Sequence, residues 1–233
     1  MRRIVTLAFV TAALVASAAA ALASQSPKAV RASIVAAARA QRSVHWSATE
    51  VIGAVAYTTG TDAAKTEGAQ HITFAVGKQK AHARIIVTGG FAYVRGDALG
   101  LRLNLGLTQA QAGKYAGRWI SIPKFDAAYA STAEGDTMAS VVHDLTPRGR
   151  LSLDTGKVHG VRVIGVRGVS GSGKKKVAEV VIARAHGKRL PLEEDIFAPG
   201  KNAIGHTTFS KWNETVTVTA PTSSTPIATV RAS

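Results

Sequence analysis

A glycine-rich segment in the C-terminal third comes nearest to a known catalytic motif. Residues Gly168–Lys175 almost match the phosphate-binding loop G-x-x-x-x-G-K-[ST], but Lys175 stands where a hydroxyl would hold magnesium. The segment lies between two predicted strands, so no helix N-terminus is available to receive a phosphate. The nucleophile elbow G-x-S-x-G also fails here, since Ser172 occupies the position of the final glycine. We predict a flexible, basic hairpin turn.

The remaining titratable residues form no recognisable catalytic or metal-binding pattern. None of the seven histidines forms an H-x-H or H-E-x-x-H pair, so we expect solvated surface histidines rather than a metal site. Glu193, Glu194 and Asp195 are adjacent and alternate between the two faces of a predicted strand, which gives no obvious acid–base pair. We therefore predict a protein that is not an enzyme and that uses no cofactor and no metal.

The N-terminus has the features of a secretory leader. Arg2 and Arg3 form a positive region, an uncharged Ala-, Val- and Leu-rich stretch follows, and Ala21-Leu22-Ala23 fits the small-residue rule for signal peptidase. We predict a signal peptide over residues 1–23 and an exported protein, periplasmic, envelope-bound or extracellular. The alternative is an uncleaved membrane anchor, because no charge appears before Lys28.

The charge and the cysteine content limit the kinds of partner and of stabilising cross-link that the chain can have. The net charge of +15 predicts attraction to anionic surfaces such as acidic lipid headgroups, although excess Lys and Arg can also serve only solubility. Export argues against nucleic acid as the partner. The chain contains no cysteine, so neither disulfides nor thiolate metal sites are available, and stability must come from a hydrophobic core.

The order of periodic segments predicts an α+β domain over residues 24–221 with one large antiparallel sheet. Residues 27–42 have a helical period, with Ser26 as the N-cap and Pro27 in the first turn. From Val44 the period changes to two, and Gly77-Lys78 and Gly89-Gly90 are predicted hairpin turns.

The middle of the chain predicts short helices over residues 108–115, 124–130 and 136–145, with a strand at 119–122. Further strands are predicted over residues 158–169, 176–184, 189–197 and 215–220. Residues 222–233 are rich in Thr, Ser and Pro, and we predict a disordered tail. The apolar face of the sheet must be covered by the helices. Trp119 and Trp212 are expected either to pack between the sheet and the helices or to border an apolar cavity there.

Several short segments, in this order, give the chain a resemblance to the LppX/LprG family of exported actinobacterial lipoproteins, whose fold is similar to that of the lipoprotein carrier LolA. The matching segments are Ser43-Val44-His45, Phe91–Gly96, Tyr115–Ile122, Arg189–Leu192 and Thr207–Trp212 with Val216–Pro221. The resemblance implies a curved antiparallel half-barrel wrapped on its concave face by short helices. It also implies a hydrophobic cavity that holds acyl chains of a lipid, lipoglycan or acylated ligand. Ser24 stands where family members often carry a lipobox cysteine, so this chain is expected to be released rather than tethered.

Alternation and resemblance together predict the residues of such a cavity. The expected lining residues are Ile72, Phe74, Val76, Ile85, Val87, Tyr93, Trp119 and Leu192. The expected contacts to an anionic headgroup at the rim are Arg95, Arg102 and Lys114. Burying an acyl chain gains about 0.8 kcal/mol per methylene, so polar contacts are not needed for tight binding.

Two interpretations remain open on the sequence. The first is a monomeric lipid-binding or carrier module of the envelope. The second is a structural or sensory domain without a ligand, which uses the same scaffold to bind a protein partner. Inward-facing small residues such as Ala75, Ala81 and Ala83 favour a cavity, but alanine also allows helices to pack closely against a sheet.

Overall fold

Twelve strands in the described part of the chain form one open, curved sheet, which confirms the predicted fold class. The computed structural model describes residues 25–170, 177–198 and 203–233. The strands are β1 (Ser43–Ile52), β2 (Val55–Ala64), β3 (Gly68–Val76), β4 (Gln79–Thr88), β5 (Phe91–Gly96), β6 (Ile120–Pro123), β7 (Arg148–Val158), β8 (Val161–Ser170), β9 (Val177–Arg184), β10 (Pro191–Phe197), β11 (Ala203–Ser210) and β12 (Thr225–Pro226).

The sheet consists of two meanders joined between β1 and β11. The order is β12-β6-β5-β4-β3-β2-β1-β11-β10-β9-β8-β7, antiparallel except for the parallel pair of β12 with β6. Two-residue turns at Gly77-Lys78 and Gly89-Gly90 join Val76 to Gln79 and Thr88 to Phe91, as predicted. Short turns suffice because neighbouring antiparallel strands begin where the preceding ones end.

Six helices among the described residues accompany the sheet. They are α1 (Pro27–Arg39), α2 (Ala98–Leu105), α3 (Gln109–Tyr115), α4 (Tyr129–Thr132), α5 (Met138–Asp144) and α6 (Ile227–Arg231). The Ser26 hydroxyl accepts a hydrogen bond from the amide of Ala29, which caps α1 as the sequence predicts. None of the described helices has the length and apolar character that crossing a membrane requires.

The helices cover the concave face of the sheet at its two ends. At one end, Ile34 of α1 and Val142 of α5 pack on Ile164 and Val181 from β8 and β9. At the other end, α2, α3 and α6 pack on the inward side chains of β4, β5 and β6. Between the two cores, α5 and the loop before it lie over inward side chains of β1, β2, β10 and β11 in the described part of the structure.

The C-terminal tail forms β12 and α6, whereas the sequence predicted a disordered tail. Ile227 and Val230 of α6 are buried beside Ile120 and Ile122, and the amide of Thr225 donates to the carbonyl of Trp119 at 2.8 Å. Arg231 forms an ion pair with Asp126 at 2.9 Å. A polar composition suggested disorder, but two apolar side chains at helical spacing are enough to dock a short segment on an existing core.

Four further elements differ from the sequence prediction. The alternating segment 215–220 pairs with no described strand, because β11 already has β1 and β10 as neighbours and the chain leaves the sheet at residues 211–214. Residues 124–128 form turns, and the helix there is confined to Tyr129–Thr132. The predictions omit β7 and α2. The predicted signal peptide and most of the glycine-rich turn, residues 171–176, lie outside the described residues.

Candidate functional site

A cavity of about 280 Å³ lies between the concave face of the sheet and helix α5. Strands β1, β2, β10 and β11 form its floor, and α5 with the α4–α5 loop forms its roof. Three aromatic rings and four carboxylates are among its walls. The lining residues are Trp46, Ala48, Glu50, Tyr57, Thr59, Glu134, Gly135, Val141, Asp144, Glu194, Ile196, Thr207 and Phe209.

Strand register brings the floor residues together. Trp46 pairs with Phe209 and Ala48 with Thr207 across β1 and β11, and Glu50 pairs with Tyr57 across β1 and β2. Side chains of directly opposed residues in an antiparallel pair lie on the same face, so every second residue of each strand points into the cavity. The alternation that builds the core at the two ends of the sheet therefore builds a binding surface in the middle.

The α4–α5 loop holds Trp46 in place. The indole nitrogen of Trp46 donates to the carbonyl of Gly135 at 3.0 Å, and the amide of Gly135 donates to the Ser140 hydroxyl at 2.7 Å. Gly135 has a φ of +80°, and a Cβ at this position would lie 2.7 Å from Cζ2 of Trp46. Only glycine allows this close approach, so the loop fixes one aromatic wall of the cavity.

Two carboxylates of the cavity, Glu194 and Glu50, are poorly solvated. Glu194 is only 8% exposed, and burial raises its pKa well above the usual range, with the nearby charges of Glu179, Asp144 and Glu50 adding to the effect. Burial also raises the pKa of Glu50, and the charge of Glu134 contributes. These carboxylates repel one another and lose hydration at the same time, and both effects favour their protonated forms.

A further carboxyl group is buried behind the cavity, in the loop that carries Gly135. Asp136 is fully buried, and neither of its side-chain oxygens has a hydrogen-bond partner among the described residues. Burial raises the pKa of Asp136 to about 8. The group is therefore largely neutral at pH 7 in the folded protein.

The predicted lining residues on β3 and β4 share the concave face but do not line this cavity. Ile85 and Val87 are about 1% exposed and pack under the helices of the β4–β6 core, and Ile72 packs against the same core. Phe74 contacts the edge of the Tyr57 ring at a centroid distance of 5.4 Å, one residue removed from the cavity. Val76, at the end of β3, pairs with Val55 and Gln79. Tertiary packing therefore fills the space in which the sequence predicted a cavity.

The other three predicted lining residues lie elsewhere. Tyr93 pairs with Ile86, whereas the inward residues of these strands are Ile85 and Val94, so Tyr93 points to the convex face and packs beside Phe91. The prediction for Tyr93 was therefore wrong by one residue of register. Trp119 precedes β6, and Leu192 is the extra residue of a bulge between Pro191 and Glu193; both are half-buried and neither lines the cavity.

The predicted headgroup residues do not form a rim around the cavity. Arg95 lies on the convex face of β5, opposite Arg84 of β4. Arg102 on α2 donates to the side-chain oxygen of Gln109 at 2.7 Å, and Lys114 on α3 lies 5.5 Å from the ring centre of Tyr115. These three cations are therefore separate surface groups.

A second, wider groove of about 620 Å³ lies on the other side of α5. Met138, Ala139 and Val142 supply its apolar residues, while Arg39, Lys65 and Arg148 make its border basic. It has no aromatic wall. We take the concave cavity as the candidate site because its walls are aromatic and because it lies in the middle of the concave face.

The alternation of residues along two strands already indicates the cavity in the sequence. Val44, Trp46, Ala48 and Glu50 alternate along one strand, so an acidic residue shares a face with the core. Glu194 likewise falls at an inward position of β10. An inward carboxylate in a strand of otherwise apolar inward residues is a direct indication of a polar site.

The described side chains show no group of three or more His, Asp or Glu residues arranged to hold a metal ion. His45 and His206 instead bond to Asp62 and Asp195 at 2.7 and 2.8 Å on the surface of the sheet. These two histidines act as cross-strand polar contacts.

An open curved antiparallel sheet with short helices on its concave face defines the class of fold. Among solved structures, the chain is similar to LprF from Mycobacterium bovis, with a TM-score of 0.54 and 11% sequence identity over 84% of this chain and 96% of that chain. No protein-family model matches the chain, and no curated protein sequence matches it. The similarity shows a shared fold.

Proposed function

We propose that this protein is an exported, non-catalytic binding protein of the cell envelope that holds the apolar part of a lipid or other acylated ligand in its concave cavity. The observation that carries the proposal is the position of the cavity. Trp46, Tyr57 and Phe209 border a space of about 280 Å³ on the concave face, at the margin of the core that α1 and α5 form with β8 and β9.

Both the fold and the sequence support this proposal. The fold is shared with LprF. The sequence resembles the LppX/LprG family, and this resemblance implies a hydrophobic cavity for acyl chains. In our proposal residues 1–23 are removed on export, and residues 24–221 with the docked tail form one domain that acts as a monomer. Ser24 in place of a lipobox cysteine supports release of the mature protein.

The dimensions of the cavity set the part of the ligand that it can enclose. Small-molecule cavities commonly measure about 300–1,000 Å³, so this one is at the lower end of that range. It accommodates a short apolar segment rather than several long chains. At about 0.8 kcal/mol per buried methylene, a segment of six to eight carbons provides about 5 kcal/mol before the cost of immobilisation.

The first test is extraction of the mature protein, purified from its native host, with organic solvent followed by mass spectrometry. A stoichiometric acylated species in the folded sample, absent from a denatured and washed control, is the expected result. An empty protein that also takes up no neutral nitrobenzoxadiazole-labelled acylglycerol would refute the proposal and leave a structural or partner-binding domain.

A matched pair of variants locates the binding. Ala48 lines the cavity, while Thr49, the next residue of β1, is exposed on the convex face. Ala48→Phe should reduce binding of the labelled acylglycerol at least tenfold by occupying the cavity. Thr49→Phe adds a ring to the same strand and should leave binding unchanged. Equal losses in both variants would place the ligand outside the cavity.

A further inference from the structure

The concave cavity is acidic although the chain as a whole is strongly basic. The chain has 29 Lys and Arg against 14 Asp and Glu. Four of those carboxylates, Glu50, Glu134, Asp144 and Glu194, line one cavity, and within the described residues no Lys or Arg lines it. Packing alone would place acidic residues beside the abundant cations, so this segregation calls for another explanation.

Glu194 is the innermost of the four carboxylates. It lies at an inward position of β10 opposite Thr207, lines the cavity and is buried, with 8% of its surface exposed. It accepts no hydrogen bond and forms no ion pair with any described residue. A buried carboxylate without a partner is costly, and the cost disappears when a proton or a cationic group occupies the space in front of it. Glu194 therefore leaves a position for a cation in the cavity.

The aromatic walls suit an organic cation rather than a bare metal ion. Trp46, Tyr57 and Phe209 all border the same space as the carboxylates. The faces of aromatic rings attract ammonium groups through their quadrupoles, most strongly when water is excluded. A metal ion would need converging ligands, and the described residues contain no such group of three.

We infer that the ligand carries a protonated amine next to its apolar segment and that the ammonium group is bound by Glu194, with Glu50 and the aromatic rings completing its surroundings. The inference rests on the proposed function, because it assigns the polar group of the same ligand. Asp144 and Glu134, at the exposed mouth of the cavity, attract the cation as it approaches.

Three probes with the same chain and different head charge test the inference. Octylammonium, octanol and octanoate are titrated into the mature protein by calorimetry at low ionic strength and pH 7. We expect octylammonium to bind at least tenfold more tightly than octanol, and octanoate to bind more weakly than either. Equal binding of octylammonium and octanol would overturn the inference and leave the proposed function standing, whereas absence of binding by all three would refute both.

Two substitutions on one strand provide the matched control. Glu193 and Glu194 are adjacent, pair with Thr208 and Thr207, and therefore point to opposite faces of β10. Glu194→Gln should abolish the tenfold preference for octylammonium over octanol, and Glu193→Gln should preserve that preference. If both variants lose it equally, the effect is one of net charge and the inference is wrong.

A second variant keeps the test valid should Glu194→Gln fail to fold. Glu50 is half-buried at the inward position of β1 opposite Tyr57, so its side chain tolerates replacement more easily. Glu50→Gln should weaken octylammonium binding several-fold relative to octanol binding. An unchanged affinity for octylammonium in this variant would contradict the inference.

Discussion

Two patches on opposite faces of the same sheet carry opposite charge. On the concave face, four carboxylates border the cavity under α5. On the convex face, His71, Arg84 and Arg95 are directly opposed across β3, β4 and β5. The two patches also lie on different strands: the cavity is on β1, β2, β10 and β11, and the cationic row is on β3, β4 and β5.

Like Glu194 in the cavity, the two arginines of the convex row have no oppositely charged partner among the described residues. Arg84 and Arg95 are exposed, and they form no ion pair with any described acidic residue. Asp97, the nearest acid in the adjoining cleft, accepts hydrogen bonds from the amides of His82 and Gly100 at 2.7 Å instead. Like charges directly opposed on a sheet are unfavourable, so both faces keep groups that a partner would neutralise. The net charge of +15 gives no indication of this acidic cavity.

The largest expected effect concerns the acid buried behind the cavity. The pKa of Asp136 is about 8 in the folded protein against 3.8 for the ordinary group. The folded state therefore holds a proton that the unfolded state releases between about pH 4 and pH 8, so this group lowers stability as pH rises, by up to about 1.4 kcal/mol per pH unit. Asp136→Asn should raise the free energy of unfolding at pH 7 by about 3 kcal/mol and by much less at pH 4.

Urea unfolding at pH 4, 5, 6, 7 and 8 measures this effect. Asp154→Asn is the control, since Asp154 is exposed and pairs with Arg167 at 3.3 Å on the surface. That variant should change the free energy of unfolding by less than about 1 kcal/mol at every pH. A stability difference between Asp136→Asn and the wild type that does not grow with pH would contradict the burial of a protonated carboxyl group.

The next effect concerns the loop that forms the roof of the cavity. Gly135→Ala places a Cβ against Trp46, and Gly53→Ala places one in open space; both glycines have positive φ, +80° and +62°. The left-handed backbone alone costs about 1 kcal/mol in each variant, and the clash should cost Gly135→Ala about 2 kcal/mol more. Urea unfolding measures both losses.

Binding separates the two glycine variants further. Displacement of Trp46 should lower the affinity for octylammonium in Gly135→Ala, while Gly53→Ala should bind as the wild type does. Equal stability and equal binding in the two variants would show that Trp46 is not held by this loop.

The smallest effect concerns the convex face. Arg84→Gln removes one of two directly opposed cations and should raise the free energy of unfolding by about 0.5 kcal/mol. It should also weaken binding to vesicles of phosphatidylcholine with 30% phosphatidylglycerol about fivefold, since each basic residue near an anionic surface contributes about 1 kcal/mol. Cosedimentation at low and high salt measures the second effect, with Lys157→Gln, exposed on β7 at the far edge of the sheet, as the control. Equal weakening by both variants would place vesicle binding in the overall charge rather than in this face.

Local patterns in the sequence were sufficient for much of the fold. The two-residue turns at Gly77-Lys78 and Gly89-Gly90 and the cap at Ser26 follow from rules that involve a few neighbouring residues. The prediction for Tyr93 failed because a shift of one residue along a strand exchanges its faces. The prediction for residues 215–220 failed because alternation shows that a segment can be extended, not that a neighbour has a free edge for it.

The candidate site depended on long-range packing. Ile85 and Val87 were placed on the correct face by alternation, but the structure covers them with helices from elsewhere in the chain. Glu50, Glu194 and Glu134 come from three separate regions of the sequence and meet only because β1 lies beside β11, β11 beside β10, and the α4–α5 loop folds over them.

The sequence by itself determined the α+β class, the meander and the inward or outward direction of most strand residues, because these depend on local periodicity and turn chemistry. The tertiary structure alone decided which part of the concave face stays open, that its walls are aromatic and acidic, and that the tail docks as a helix. These features depend on which distant segments become neighbours. The free energy of packing is a sum over contacts between such segments, so it cannot be read from any short stretch of the chain.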